Sequence, residues 1–204
     1  MRKLMFFVVL LFGGLVSRVS SQDMRTIFLN APDVVFPMLS INDRADLVDF
    51  IEAGMTAKVR NRLDGVSVLA ELTDDYLSLA TTASSNMQLK LLPFNGDTVI
   101  CMVKTVKAEA ADSRICFYDK QWNRLDGCGM FTMPEISDFF VSPDDEYMDM
   151  CDIYLVSLTL SAADNTLVAE YTMPAYMSVD DAGKIEPLLR KLVYRWNGGR
   201  FVID

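Results

Sequence analysis

The chain has 204 residues, 51% of them hydrophobic, with 28 acidic against 19 basic side chains and no histidine. That balance describes one or at most two compact domains and excludes a disordered or fibrous chain. Without an imidazole there is no Ser-His-Asp triad, no Cys-His dyad and no His-ligated zinc or haem. A net charge of -9 with no cluster of Lys and Arg also argues against nucleic acid, which is bound by counterion-releasing phosphate contacts.

At the N-terminus, Arg2 and Lys3 precede an apolar run from Leu4 to Val16. Val19-Ser20-Ser21 then places small residues before Gln22, the pattern of a cleaved secretory signal over residues 1–21. The run is shorter than the ~20 residues that span a bilayer, so no membrane-spanning segment is expected after cleavage. The expected location is outside the inner membrane, in the periplasm or at the cell surface. Removing residues 1–21 takes away Arg2, Lys3 and Arg18 and no acid, so -9 becomes -12.

No long linker and no fixed-period repeat interrupts the remainder, which predicts a single domain over residues 22–204. Ser40 and Asp43 resemble a capping box. Leu47, Val48, Phe50, Ile51 and Met55 follow helical spacing and Gly54 supplies a stop, which predicts an amphipathic helix. The period then changes to two. Val66, Val68, Ala70 and Leu72 alternate with smaller or polar residues, Thr73-Asp74-Asp75 turns, and Tyr76 to Ala80 extends again. Met87 to Leu92 is the next strand, ended by Pro93 and the turn Asn95-Gly96. The unbroken run Val99-Ile100-Cys101-Met102-Val103, within Thr98 to Val106, predicts a strand covered on both faces and paired with Arg114 to Asp119.

Pro134 marks the first position of a short helix carrying Ile136, Phe139 and Phe140. Strands Cys151 to Leu160 and Thr166 to Met173 flank a turn at Asp164-Asn165, and Leu188 to Trp196 returns through Asn197-Gly198-Gly199 as Phe201 to Ile203. The expected fold class is α+β, a mainly antiparallel β-sheet or sandwich with an N-terminal amphipathic helix packed on it.

Between Arg124 and Lys184 there is no basic residue, yet the stretch holds Asp126, Glu135, Asp138, Asp144, Asp145, Glu146, Asp149, Asp152, Asp164, Glu170, Asp180 and Asp181. Residues 125–183 therefore carry the whole acidic excess, either as a solvated surface, as a docking site for a basic partner, or as a cation site. The densest run supplies the metal candidates Asp144, Asp145, Glu146, Asp149 and Asp152. Calcium takes six to eight such oxygens, although the turn glycine of a calcium loop is missing. Asp119, Gln121, Asn123 and Asp126 also stand at oxygen-donor spacing, with Asp126-Gly127 reading as a hairpin turn.

Cys101, Cys116, Cys128 and Cys151 allow two disulfides in an exported protein. Cys101 and Cys116 fall on neighbouring strands, so a cross-strand bond between them is a candidate if the register places them opposite. Six methionines between Met130 and Met177 raise a copper carrier beside the simpler role of gap filling. Trp122, Trp196 and Tyr194 are sugar-site or core residues.

The segments Asn42-Asp43-Arg44-Ala45-Asp46-Leu47-Val48-Asp49-Phe50, Leu72-Thr73-Asp74-Asp75-Tyr76, Val103-Lys104-Thr105-Val106, Asp112-Ser113-Arg114-Ile115, Phe117-Tyr118-Asp119 and Tyr194-Arg195-Trp196-Asn197-Gly198 carry a resemblance. They resemble an uncharacterised family of secreted proteins from Bacteroidetes-type anaerobes, a domain of unknown function. The resemblance implies an exported single-domain protein and brings no catalytic or binding residue with it. The expected function is a non-catalytic binding or interaction module, not an enzyme, that needs no cofactor and whose partner is an unknown protein or envelope component. The alternatives are a calcium-stabilised envelope protein and a carboxylate-based hydrolase working through a pair of acids.

Overall fold

The computed structural model describes residues 23–125, 129–142 and 146–204, with no account of the side chain of Glu146. The expected signal at residues 1–21 lies outside the described residues, as do Asp126, Gly127, Cys128, Asp144 and Asp145.

The chain opens with α1 (Met24–Leu29), capped by the Asp23 carboxylate, which accepts from the Thr26 amide at 2.8 Å. The expected amphipathic helix is α2 (Ile41–Glu52), and its capping box is reciprocal. The Asp43 amide donates to Ser40 Oγ and the Ser40 amide donates to Asp43 Oδ2. At the other end Gly54, at φ +70, donates to the Ile51 carbonyl while the Met55 amide reaches Phe50, the paired bonds that close a helix through a left-handed residue.

Ten strands follow. A six-stranded antiparallel sheet runs in order β1 (Lys58–Arg60), β2 (Val66–Leu72), β3 (Tyr76–Thr82), β4 (Ser85–Phe94), β5 (Asp97–Lys107) and β6 (Ala111–Tyr118). A second antiparallel sheet holds β7 (Val156–Leu160), β8 (Thr166–Tyr171), β9 (Leu192–Trp196) and β10 (Phe201–Ile203), with β7 and β10 at its edges. The α+β class, mostly antiparallel sheet with a few helices, is as expected. Asn95 and Gly96 both take positive φ, +48 and +77, the conformation a two-residue hairpin between β4 and β5 demands.

Two cores lie on opposite faces of the six-stranded sheet, and β5 feeds both. Ile100 and Met102 join α1, α2 and the loop between them in one core. Val99, Cys101 and Val103 join the second sheet in the other. The continuous apolar run of β5 is thus the run of a strand covered twice.

The second sheet is held by polar side chains of the first. β7 lies against β4, β5 and β6. As an edge strand it has amides with no ladder partner, and unpaired buried amides are costly. The Leu158 amide donates to Ser113 Oγ at 2.9 Å and the Leu160 amide to Gln88 Oε1 at 3.1 Å. Lys90, buried, donates to the Ala162 carbonyl at 3.1 Å and pairs with Asp75 at 2.9 Å.

Several expectations need correction. The alternation Val66, Val68, Ala70 marks β2 correctly but not its buried face. Ser67 and Leu69 point into the core, and an irregularity between Leu69 and Glu71 shifts the phase so that Leu72 packs inward again. Pro93 does not end β4. The Leu91 amide donates to Asp75 at 2.8 Å, and two residues later the position 93 nitrogen faces the same edge, beyond the start of β3 at Tyr76, where a missing N–H costs nothing. Pro134 precedes a 3-10 turn at Ile136–Phe139 instead of opening it, because Glu135 is the capping residue. The strand expected from Cys151 begins only at Val156, and two short helices, α1 and α3 (Val179–Ile185), stand beyond the expected elements.

The Cys101–Cys116 bond is also corrected. Cys116 stands opposite Met102 and Cys101 opposite Phe117, one residue out of register. Neighbouring residues of a strand point to opposite faces, so Cys101 enters the core between the sheets while Cys116 packs toward the helices. Both thiols are free.

Candidate functional site

The described acids of residues 125–183 divide into two groups. One group is committed to hydrogen bonds or an ion pair. Asp138 accepts from the Glu135 amide at 2.8 Å, Asp164 from the Thr166 amide and hydroxyl, and Asp181 from Ser178 Oγ and Lys184. Glu170 pairs with Lys191 at 2.9 Å. Asp149, Asp152 and Asp180 are exposed and make no hydrogen bond or ion pair among the described residues.

Asp149 and Asp152 belong to the run of metal candidates, of which Asp144 and Asp145 lie outside the described residues. Among the described residues no three Asp, Glu or Cys side chains converge at metal-binding distance. Asp119, from the weaker oxygen-donor group, is committed locally. Its carboxylate accepts from the Gln121 and Asn123 amides and from Asn123 Nδ2, all between 2.8 and 2.9 Å.

The segment from Asp149 to Tyr154 leaves the 3-10 turn Glu146–Met150 and crosses the surface before β7 begins. Cys151 turns inward, and around it Met150, Ile153 and Tyr154 stand 39%, 49% and 41% exposed. This apolar surface is pinned from both sides. Tyr154 Oη donates to the Pro134 carbonyl and Tyr171 Oη to the Ile153 carbonyl, each at 2.7 Å.

The electrostatics around the segment are acidic. Burial, then the charges of Asp112 and Asp138, raise the Tyr154 pKa. Burial, with Asp152 nearby, raises that of the Cys151 thiol, and Cys101 is pushed well up by burial alone before Cys116 adds to it. Both thiols are therefore held protonated, the unreactive form.

Elsewhere, a cleft of about 410 Å³ lies between the β5–β6 turn and the segments after β8, lined by Lys107, Glu109, Thr172, Glu186 and Leu189. Glu109 and Glu186 are exposed and make no hydrogen bond that would orient them. A carboxylic acid that protonates a leaving group needs desolvating surroundings, which this cleft does not supply. Trp122, Trp196 and Tyr194 are core residues, the indoles donating to the carbonyls of Ile27 and Pro93. Of the six methionines, Met130 and Met173 are in the core between the sheets and Met133, Met148 and Met177 pack against it.

Ile153 and Tyr154 are hidden in the sequence by the strand expected from Cys151 to Leu160, and Met150 by the acidic run around it. The density of Asp on both sides of Cys151 is a signal against that strand, since Asp is depleted from sheets.

Among the described residues no helix is long and apolar enough to cross a membrane. No curated protein matches the chain. It is similar to the solved structure described as a domain of an uncharacterized protein from Porphyromonas gingivalis W83, at 26% identity and a TM-score of 0.76, over 90% of this chain and 98% of that one. The description Protein of unknown function (DUF3256) matches residues 16–201, and the chain belongs to that family.

Proposed function

We propose that the protein is an exported, non-catalytic binding module that engages a basic partner of the cell envelope through Asp149, Met150, Asp152, Ile153 and Tyr154. The observation that carries this reading is the make-up of that segment. Two carboxylates with no partner among the described residues stand beside three exposed apolar side chains on a backbone already held by two tyrosine hydroxyls. Exposed Tyr and Met are the residue types that interfaces enrich, and a pinned backbone loses little entropy on binding. The flanking acids supply long-range attraction for Lys and Arg side chains, which sets the rate and orientation of encounter.

The test compares the exported protein with Asp149→Asn/Asp152→Asn and with Tyr154→Ala for association with an envelope fraction at low and high salt. The expected result is binding that falls as salt rises, weakens in the Asn pair and is lost in Tyr154→Ala. Association that ignores both salt and the substitutions, or no association at low salt, overturns the proposal.

A further inference from the structure

On the helix side of the six-stranded sheet, away from residues 149–154, a cavity of about 190 Å³ opens between the α1–α2 loop and strands β3 to β5. Its wall is Phe36, Pro37, Met38 and Leu39, and its floor includes Met87. The wall is preformed. Arg44, 1% exposed, lies over the Phe36 ring at 5.8 Å and donates to the carbonyls of Ala31 at 2.8 Å and Leu39 at 3.3 Å. The Arg62 amide holds the Met38 carbonyl at 3.0 Å. Two hydroxyls at one end, of Thr81 and Ser85, are bonded to each other at 2.7 Å.

The charge in this lining is the ammonium of Lys104, half-buried, whose one hydrogen bond among the described residues is to the Val35 carbonyl at 3.5 Å, the limit of such a bond. Pairing across the sheet puts Leu79, Met87, Lys104 and Arg114 in one row on this face. Lys104 and Arg114 are thus direct cross-strand neighbours of like charge, an arrangement that costs stability. Arg114 is exposed and forms no hydrogen bond or ion pair among the described residues. Asp112, its neighbour two residues along β6, forms an ion pair with neither cation.

We propose that this cavity binds a small apolar monocarboxylate, with the hydrocarbon against the accessible Pro37, Met38 and Val106 and the carboxylate on Lys104, beside its cross-strand neighbour Arg114. An anion there relieves the repulsion between the two cations and gives the half-buried ammonium a stronger, charged acceptor than the Val35 carbonyl. At about 30 Å³ per water-sized unit, the space takes on the order of six such units, which suits a chain of five or six carbons.

The test titrates ¹⁵N-labelled protein with sodium hexanoate and, separately, with hexan-1-ol. Hexanoate is expected to shift the amides of residues 36–39, 85–87 and 104–106 and to bind about tenfold or more tighter than the alcohol. Lys104→Met is expected to abolish that preference while still admitting hexan-1-ol. Arg114→Gln, at an exposed site, keeps the fold and weakens hexanoate severalfold without affecting the alcohol. No binding of hexanoate at millimolar concentration, equal affinity for the two probes, shifts elsewhere, or an unchanged preference in both variants overturns the proposal.

Discussion

The two halves of the six-stranded sheet share one strand pattern but not one environment. Across β4 to β6 both faces are covered, by helices on one side and by the second sheet on the other. Across β1 to β3, apart from Tyr76 at the start of β3, only the helix face is covered. There Leu69 is 2% exposed while Val66, three residues earlier, is 53% exposed, and Gly65, Val66, Val68, Ala80, Thr82 and Ala83 line an open depression of about 510 Å³. β4 is the border. Its side chains toward the second sheet change from Leu92 to the polar Lys90 and Gln88, which meet the end of β7. A strand buried on both faces is written as an unbroken apolar run, whereas a strand with one open face depends on the distant layer that stops short of it.

The largest effect expected from this contrast is at Leu92, fully buried in the doubly covered half. Leu92→Ala should lower unfolding free energy by about 3 kcal/mol in urea titration, as core truncations do. A loss no larger than that of Val66→Ala removes the distinction between the halves.

At the border, removing the partner of a buried charge costs more than removing the charge. Asp75→Asn leaves the Lys90 ammonium buried beside Tyr76, and a loss of about 2 kcal/mol is expected, since Asp75 is itself half in water. Lys90→Met leaves a solvated carboxylate and should cost less. The reverse order in chemical denaturation shows that Lys90 acts through packing. Gln88→Leu leaves the Leu160 amide unpaired and should cost about 1–2 kcal/mol, with Leu160 losing hydrogen-exchange protection first.

The pH profile reads the same border. Tyr76, Tyr171, Tyr194 and Cys101 all face the core between the sheets, and burial raises the pKa of each. A group whose folded pKa is raised leaves stability intact below its unfolded value and reduces it as pH climbs toward the folded one. The melting temperature should therefore fall from about pH 9, where an unfolded thiol ionises, and more steeply above about pH 10. On the acid side the signs reverse. Hydrogen bonds from Arg62, Lys120 and Arg195 lower Asp33, Asp97 and Asp204, so their contribution is present above about pH 4 and is lost as pH falls through the lowered values. A flat melting temperature from pH 8 to 11 contradicts the buried tyrosines. The smallest effect is expected at Val66→Thr, within about 0.5 kcal/mol of wild type by the same titration, because that face meets water.

Much of the local structure is legible in the sequence because it depends on near neighbours. Ser40, Asp43 and Gly54 start and stop α2 within one turn of themselves. Asn95-Gly96 makes a hairpin because both residues accept positive φ, and Val99 to Val103 reads as a doubly buried strand from composition alone. The candidate surface was legible only as charge. Asp149 and Asp152 stand out by count, but the exposure of Ile153 and Tyr154 follows from contacts to Pro134 and Tyr171, about twenty residues away on either side.

The amino-acid order alone determines the strand-rich α+β class, the main helix, most hairpins and the exclusion of imidazole chemistry, since each rests on residue type and short-range spacing. The tertiary structure decided which face of β2 is buried, that Cys101 and Cys116 stand on opposite sides of the sheet, and that Lys104 and Arg114 share one row beside an apolar cavity. In a pleated sheet a register change of one residue turns every side chain to the other face, and register is set by partners far along the chain.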